Sequence, residues 1–401
     1  MDANFEVVTE NKKLVVGIDA TNLRQGGGRT HLIELLRAAN PQIHQVSKVV
    51  VWGSQSTLAL LDNTPWLEKV NPPAQESGFL KRTLWQKFHL SDAAHQTGCD
   101  VLFVPGGSYS GNFHPVVTMS RNILPFEWQE LWRYRWSLTT ARLMLLRLTQ
   151  SQTYRSADGV IFLTEYGKST VEQITGLLQN TIIIPHGCSN RFSRPPQTQK
   201  PIDTYTTDQP FRILYVSIID QYKHQWHIVE GVAKLRQWTG WNVVLELIGS
   251  AYPPALKRLK TTIQRYDPET RWVHYKGGVP FDQLHEVYQQ ADLGIFASSC
   301  ENMPNILLEM MATGLPVASS NRRPMPEILG NAGVYFDPED PHDIANALLK
   351  LIESPHLRTV LSNSSFTASQ QYTWARCADT TFAFLTDVHQ KYAQKENQNR
   401  R

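Results

Sequence analysis

Two glutamates, Glu301 and Glu309, stand in the segment SSCENMPNILLEMMATGLPVA at residues 298–318. An apolar run before the segment predicts a strand, and Pro304 suits the first turn of a following helix. Glu301 is then in the loop and Glu309 in the helix. Carboxylates accept hydrogen bonds from vicinal sugar hydroxyls, so the pattern predicts a sugar site. A helix cap at Glu301 with a surface ion pair at Glu309 is the alternative.

Phosphate-binding groups are expected beside these carboxylates. The first N–H groups of the predicted helix, near Asn305 and Ile306, can receive a phosphate. Lys223 follows another predicted strand, where its ammonium group can neutralise a phosphate. The triplet Gly26–Gly28 precedes a helix and lets backbone N–H groups approach an anion. A flexible turn at the glycines and a solvated lysine remain the alternatives.

Short apolar runs alternate with helical patterns along the whole chain, which predicts an α/β fold of parallel sheets covered on both faces. Residues 194–210 carry four prolines and no apolar periodicity, so they predict a linker between two halves. In such sheets ligands lie beyond the carboxyl ends of the strands. The predicted strands are 14–18, 48–52, 101–104, 116–119, 160–163, 181–184, 212–216, 243–248, 272–275, 293–297, 317–319 and 334–336.

Composition excludes several classes of protein. The 401 residues are 41% hydrophobic and 19% charged, which excludes a disordered chain, and the net charge of +3 argues against a nucleic-acid partner. The four cysteines are far apart, as in a reduced cytosolic protein without zinc or disulfides. The polar N-terminus and the absence of a long apolar run predict a cytoplasmic protein without a secretory signal or a membrane span.

In the order of these motifs the chain resembles the retaining, nucleotide-sugar-dependent glycosyltransferases of the GT-B fold, often called group 1. The glutamate pair with its ATGLPV ending carries the resemblance, and MPEILGNAGVYFDPEDPHDIANAL at 325–348 extends it. TIIIPHGCSNRF at 181–192 and ILYVSIIDQYKH at 213–224 fit the same family. The resemblance implies two Rossmann-like, doubly wound domains facing each other across a cleft.

The resemblance also implies a task for each domain. Residues 1–195 would be the acceptor-side domain, and residues 196–372 would bind the nucleotide sugar. The closing helix, 373–401, is expected to pack back on the first domain. The first 200 residues hold 20 basic and 15 acidic residues, so the positive excess falls on the acceptor side.

Individual residues receive roles from the resemblance. Glu309 should hold the ribose hydroxyls, and Glu301 should lie beside the transferred sugar without acting as a covalent nucleophile. Lys223 should neutralise the leaving diphosphate. The remaining donor-binding residues are expected to contact the sugar, the distal phosphate or the base, and they are Asn302, Met303, Asn305, Ile306, Val279, Gly27 and Gly28.

Two departures from the family pattern concern phosphate contacts. Many members have a Gly-Arg pair where this chain has Ser217 and Ile218. Many members also have a histidine where this chain has Ser120, Arg121 and Asn122. Arg121 and Asn122 are therefore candidates for phosphate or acceptor contacts, and a plain loop role for Arg121 stays open.

No Asp-x-Asp motif occurs in the chain, so we expect transfer without a metal ion or another cofactor. The resemblance implies retention at the anomeric carbon by a front-face mechanism. It also implies a carbohydrate or lipid-linked oligosaccharide acceptor, as in O-antigen or exopolysaccharide synthesis. A nucleotide-sugar epimerase and a non-catalytic nucleotide-sugar-binding protein of the same architecture are the alternative functions.

Three tryptophans, Trp128, Trp132 and Trp136, recur every four residues with several arginines in residues 127–147. This spacing predicts one helix with an aromatic face. Such a helix either packs on its own domain or lies on an anionic membrane surface, which would make the protein peripheral on the cytoplasmic side of the inner membrane. His186 is expected either to be a turn residue beside Gly187 or to face the cleft and serve the acceptor. Glu327 is expected either to touch the nucleotide or to cap or orient the turn at 324–330.

Overall fold

The computed structural model describes residues 13–24, 26–280 and 282–400, and it contains two parallel β-sheets. The polar N-terminal stretch used above to predict the absence of a secretory signal lies outside the described residues. The first sheet has the strand order β3-β2-β1-β4-β5-β6-β7 and the second has the order β10-β9-β8-β11-β12-β13. The prediction of two parallel-sheet α/β units is confirmed.

The strands of the first sheet are β1 (Leu14–Asp19), β2 (Val46–Trp52), β3 (Leu67–Val70), β4 (Val101–Val104), β5 (Val116–Met119), β6 (Gly159–Phe162) and β7 (Thr181–Ile183). Those of the second sheet are β8 (Phe211–Val216), β9 (Val243–Ile248), β10 (Val273–Tyr275), β11 (Leu293–Phe296), β12 (Val317–Ser320) and β13 (Val334–Phe336). Strands β4, β5, β6, β9, β11 and β12 are buried throughout, which explains their near-continuous apolar sequences.

The helices of the first half are α1 (Gly26–Ala38), α2 (Gln55–Leu58), α3 (Phe79–Phe88), α4 (Leu90–Gln96), α5 (Trp128–Trp132), α6 (Leu138–Ser156) and α7 (Glu165–Thr175). Those of the second half are α8 (Gln225–Thr239), α9 (Pro253–Tyr266), α10 (Leu284–Gln289), α11 (Asn305–Ala312), α12 (Met325–Leu329), α13 (Pro341–Glu353), α14 (Pro355–Ser369) and α15 (Trp374–Asn399). No helix of the described residues is both long and apolar enough to span a bilayer.

Strand β3 was missed by the sequence prediction. Its sequence, LEKV, places two charged residues between two apolar ones, and all four residues are only partly buried. It pairs only with β2, at the edge of the sheet. An edge strand needs no long apolar run, so hydrophobic patterning gives no signal for it.

The expected single helix at 127–147 is wrong, because the chain breaks between α5 and α6. Arg135 has φ 51°, a left-handed conformation that cannot continue a helix. Ser137 then caps α6 by accepting a hydrogen bond from the Thr140 N–H group at 3.2 Å. Trp136 therefore lies outside both helices, although its ring still meets that of Trp132 with centroids 5.2 Å apart.

Helix α15 joins the end of the chain to the first sheet. Thr386 donates a hydrogen bond to the carbonyl of His44 at 3.2 Å, and His389 lies 3.0 Å from the carbonyl of Asp100. The fit against β6 is close, because a Cβ on Gly159 would lie 2.8 Å from Val388 Cγ2. Residues of the first sheet and of α15 thus belong to one hydrophobic cluster, which also includes residues of the second half.

Candidate functional site

A cleft of about 570 Å³ separates the two sheets at the carboxyl ends of their strands. Loops after β8 and β9 and the first turn of α11 form one wall, and the start of α1 forms the other. Five of the expected donor-binding residues line this one space: Gly27, Val279, Asn305, Ile306 and Glu309. Residues separated by almost 300 positions are therefore brought to a common cavity.

Glu309 is a buried carboxylate at the cleft. Its only hydrogen bond from a described side chain comes from the Tyr288 hydroxyl, which donates to Oε2 at 2.8 Å. Burial raises the pKa of Glu309 to about 7, although the Tyr288 hydrogen bond and the charge of Arg191 act in the opposite direction. A carboxylate in this position lacks the hydration it had in water, so ligand hydroxyl groups that donate to it would be favoured.

Lys223 and Glu301 form an ion pair between Nζ and Oε1. Lys223 is buried, and its ammonium group also lies 5.0 Å from the centroid of the Tyr222 ring and 5.3 Å from that of Phe296. Its backbone is fixed by the Tyr215 hydroxyl, which donates to the Lys223 carbonyl at 3.0 Å. The ammonium group of Lys223, which was expected to neutralise the diphosphate, is therefore already paired with Glu301.

Asn302 and Met303 are turned toward protein and not toward the cleft. The side-chain amide of Asn302 donates to the Ser120 carbonyl at 2.8 Å, and the backbone carbonyl of Asn302 accepts from Thr164 Oγ1 at 3.0 Å. Met303 is buried in the main hydrophobic core. The loop after Glu301 thus joins the two domains directly. Asn305 begins α11, and its N–H group donates to the Met303 carbonyl at 3.0 Å, so it is not free as expected.

Arg121 lies against the glycine triplet. A Cβ on Gly28 would fall 2.4 Å from Arg121 Nη2, so the guanidinium occupies the space that any side chain at position 28 would need. Neither Nε nor Nη1 of Arg121 has a hydrogen-bond partner, and both are shielded from solvent. Burial lowers the pKa of Arg121 to about 10, which leaves it a cation at neutral pH. Asn122 is exposed, and its Oδ1 accepts from the Leu124 N–H group in a local turn.

Two histidines lie near Arg121. His186 is in the loop that follows β7, as expected of a turn residue, and it is buried with Nδ1 3.0 Å from Asn305 Oδ1. His31 lies on the buried face of α1, and its ring centroid is 4.6 Å from that of His186. Burial lowers the pKa of His186 to about 3 and lowers that of His31, so both rings are neutral. The sequence signal that could have indicated this pair is His31, a histidine among the apolar residues of α1.

Glu327 makes a contact that neither of its two expected roles named. Its carboxylate accepts hydrogen bonds from the N–H groups of Glu165 at 2.8 Å and Tyr166 at 3.1 Å. These groups open α7, whose N-terminal dipole favours a negative charge. Glu327 of the second domain therefore caps a helix of the first.

The described residues include no cluster of three or more histidine, cysteine, aspartate or glutamate side chains positioned to hold a metal ion.

Comparison with known proteins identifies part of the chain. Residues 198–367 match the family described as "Glycosyl transferases group 1". This segment is a group 1 glycosyltransferase domain. It contains β8 through α13 and most of α14, with both glutamates of the motif.

Among curated relatives, the O-antigen chain mannosyltransferase B of Escherichia coli is 30% identical over 110 residues, which are 27% of this chain and 29% of the relative. The sulfoquinovosyl transferase SQD2 of Arabidopsis thaliana is 27% identical over 111 residues, covering 26% of this chain and 22% of that protein. The chain therefore matches less than a third of the length of these relatives.

Solved structures resemble the whole chain. The Anabaena protein Alr3699/HepE, in complex with UDP and glucose, has a TM-score of 0.64 at 17% identity, covering 96% of this chain and 100% of that one. WaaG, described as a glycosyltransferase involved in lipopolysaccharide biosynthesis, has a TM-score of 0.67 at 14% identity, covering 93% and 100%. At this identity the likeness establishes the fold, so the GT-B architecture predicted from the sequence is confirmed.

Proposed function

We propose that the protein is a glycosyltransferase that moves a hexose-type sugar from a nucleoside-diphosphate sugar to a carbohydrate acceptor. The observation that carries this proposal is the interdomain cleft, which the buried Glu309 carboxylate lines. The Lys223–Glu301 pair belongs to the same segment as Glu309, the one that matches the group 1 family. The Anabaena neighbour, whose structure contains UDP and glucose, supports a nucleotide sugar as the donor.

The donor is proposed to lie along α11. Glu309 would accept hydrogen bonds from the two ribose hydroxyls, because it is a buried carboxylate with one protein donor. Val279, on the same cavity wall, would contact the base. Gly27 faces the cavity from the other domain, where its backbone can approach the diphosphate without a side chain between them.

The chemical step is proposed to proceed with retention on one face of the sugar. The bond from the anomeric carbon to the phosphate oxygen breaks, the bond to the acceptor oxygen forms, and the acceptor proton passes to the leaving phosphate. Lys223 has three N–H donors, so its pairing with Glu301 leaves donors for a phosphate oxygen. Glu301 would keep Lys223 charged and would lie beside the sugar without forming a covalent bond.

The proposal includes transfer without a metal ion, which is supported by the absence of an Asp-x-Asp motif from the sequence. The test incubates the protein with nucleoside-diphosphate sugars of several bases and measures thermal stabilisation and slow hydrolysis. One base and sugar should stand out, and Glu309→Gln should weaken the stabilisation by every nucleotide tested. Activity abolished by a chelator and restored by Mg²⁺ or Mn²⁺ would refute the metal-independent mechanism. No stabilisation by any nucleotide at millimolar concentration would refute the proposed donor.

The acceptor is proposed to be lipid-linked and to be met at a membrane surface. The name of the Escherichia coli relative points to O-antigen and that of WaaG to lipopolysaccharide, which supports surface-polysaccharide synthesis as the setting. Trp128, Trp132 and Trp136 are 50%, 42% and 91% exposed, so a large part of each ring faces solvent. We call these three tryptophans the aromatic surface. Tryptophan is enriched where a protein meets a lipid headgroup region.

Helix α3 adds a second exposed apolar region to the same domain. Phe79, Leu80, Leu84 and Phe88 are each more than half exposed, and the helix carries three basic residues and no acidic one. Helices α3 and α6 flank one loop, because Gln86 donates to the Ser108 carbonyl and the Tyr109 N–H group donates to Thr153. Exposed apolar residues with basic neighbours suit an anionic bilayer.

Flotation with vesicles of anionic phospholipid at physiological salt tests the membrane contact. Full burial of one such side chain is worth about 1.5–3 kcal/mol, so replacing the three tryptophans of the aromatic surface by alanine should weaken binding by more than about tenfold. Trp238→Ala is the matched control, since Trp238 is 45% exposed but lies on α8 of the other domain. Wild-type protein that stays entirely in the soluble fraction would refute membrane contact.

A further inference from the structure

Arg121 is a cation without a counter-ion among the described residues. None of their carboxylates forms an ion pair with it. Its Nε and Nη1 atoms are shielded from solvent without a partner. Burying a charge in this way is costly unless another group compensates it.

Other unpartnered polar atoms surround Arg121. The hydroxyl groups of Ser120 and Tyr154 and both ring nitrogens of His31 are buried without a hydrogen bond among the described residues. His31 and His186 are neutral, so neither ring offers a compensating negative charge. A guanidinium with unpartnered hydrogen-bond donors around it can bind an anionic ligand, and we call this group of side chains the anion receptor.

The position of this receptor separates it from the nucleotide end of the cleft. Arg121 is absent from the lining of the cavity that contains Glu309 and Val279. The residue before it, Ser120, accepts the hydrogen bond of Asn302, which directly follows Glu301. Arg121 therefore adjoins the loop of Glu301, the residue that is proposed above to lie beside the sugar.

We propose that Arg121 receives a carboxylate carried by the transferred sugar, which makes the donor a nucleoside-diphosphate hexuronic acid. A guanidinium binds a planar carboxylate through two parallel hydrogen bonds, and Nε with one terminal nitrogen forms such a fork. Nε of Arg121, one of the two donors of such a fork, has no partner, and the missing side chain of Gly28 leaves room for the guanidinium. This inference rests on the proposed function.

Calorimetric titration of the full chain tests the inference. For uridine and for guanosine, three probes are compared: the nucleoside diphosphate, the nucleoside-diphosphate hexose and the nucleoside-diphosphate hexuronic acid. For the preferred base, wild-type protein should bind the hexuronic acid more tightly than the hexose by about tenfold or more, the contribution expected of a charged hydrogen bond. Arg121→Gln should abolish that preference and leave the affinity for the nucleoside diphosphate within about twofold.

Arg358→Gln is the matched control for a structural role. Arg358 is also fully buried, but its guanidinium donates to the carbonyls of Leu351, Ile352 and Lys200 and to the Gln199 side chain. Its replacement should lower Tm, whereas Arg121→Gln should leave Tm of the unliganded protein unchanged or higher.

Three results would overturn the inference. If Arg121→Gln weakens the binding of all three probes equally, the residue contacts the diphosphate and not the sugar. Tighter binding of the hexose by wild-type protein would exclude an acidic sugar. A loss of Tm in Arg121→Gln comparable to that of Arg358→Gln would make the residue structural. If the nucleoside diphosphates themselves do not bind, the proposed function fails as well.

Discussion

Replacing Glu309 by glutamine should stabilise the unliganded protein at high pH and much less at low pH. The folded-state pKa of Glu309 is raised to about 7, from an ordinary value near 4.5, so the folded protein retains a proton that the unfolded chain releases. Stability therefore falls as pH rises from about 4.5 through 7. The full cost above pH 7 is about 3 kcal/mol, because one pKa unit corresponds to about 1.4 kcal/mol.

The difference in unfolding free energy between Glu309→Gln and wild type should therefore grow by about 2–3 kcal/mol between pH 5.0 and 8.5. Urea denaturation at the two pH values, followed by tryptophan fluorescence, measures it. The glutamine can still accept the Tyr288 hydroxyl, so this contact is retained. Glu246→Gln is the matched control: Glu246 is also buried, but Arg212 and Lys276 neutralise it, so its loss should destabilise the protein at both pH values.

Ligand binding should follow the opposite direction. If ribose hydroxyls donate to the Glu309 carboxylate, the bound nucleoside diphosphate favours the ionised form, and affinity should rise by about tenfold between pH 6 and 8. Glu309→Gln should bind weakly without that pH dependence. A stability difference between Glu309→Gln and wild type that is the same at both pH values, together with pH-independent binding, would refute a carboxylate kept protonated by burial.

Three further substitutions give expected outcomes. Glu301→Gln should lower the unfolding free energy by about 3 kcal/mol, because Lys223 would stay buried as an unpaired cation. Adding Lys223→Met to this variant should recover most of the loss. Denaturation curves of the double variant that show no recovery would contradict the pairing. Gly28→Ala should lower the unfolding free energy by about 1–3 kcal/mol, because its Cβ would overlap Arg121. Adding Arg121→Ala should recover this loss, and a Gly28→Ala protein as stable as wild type would exclude this packing. Glu327→Gln should cost about 1 kcal/mol through the weaker cap on α7, and an unchanged urea midpoint would mean that the cap contributes nothing.

The sequence predicted the parallel sheets and the joint position of Glu309, Asn305 and Ile306, because these depend on local periodicity and on residues close together in one helix. It did not predict that Lys223 pairs with Glu301, since the two residues are 78 positions apart and meet only through the order of β8 and β11 in the sheet. Spacing identifies which residues stand at strand ends, but not which of them neutralise one another.

Backbone conformation accounts for another failure. The four-residue spacing of Trp128, Trp132 and Trp136 suggested one helix, but the left-handed turn at Arg135 interrupts it. Nothing in the side-chain pattern marks this turn, because arginine has no preference for it. The contact between His31 and His186 was missed for a different reason: a single histidine in an apolar stripe carries no information about which ring it will meet.

The position of α15 has a consequence for the synthesis of the protein. The first sheet is complete once residue 183 has been translated, but the apolar side chains Phe382, Phe384, Leu385 and Val388 that cover part of it are made more than 190 residues later. The nascent first domain must therefore leave the ribosome with part of its core uncovered, although domains usually fold in the order of translation. Loss of α15 would therefore damage the domain that was made first, and until α15 has been made the nascent chain exposes apolar surface that chaperones can bind.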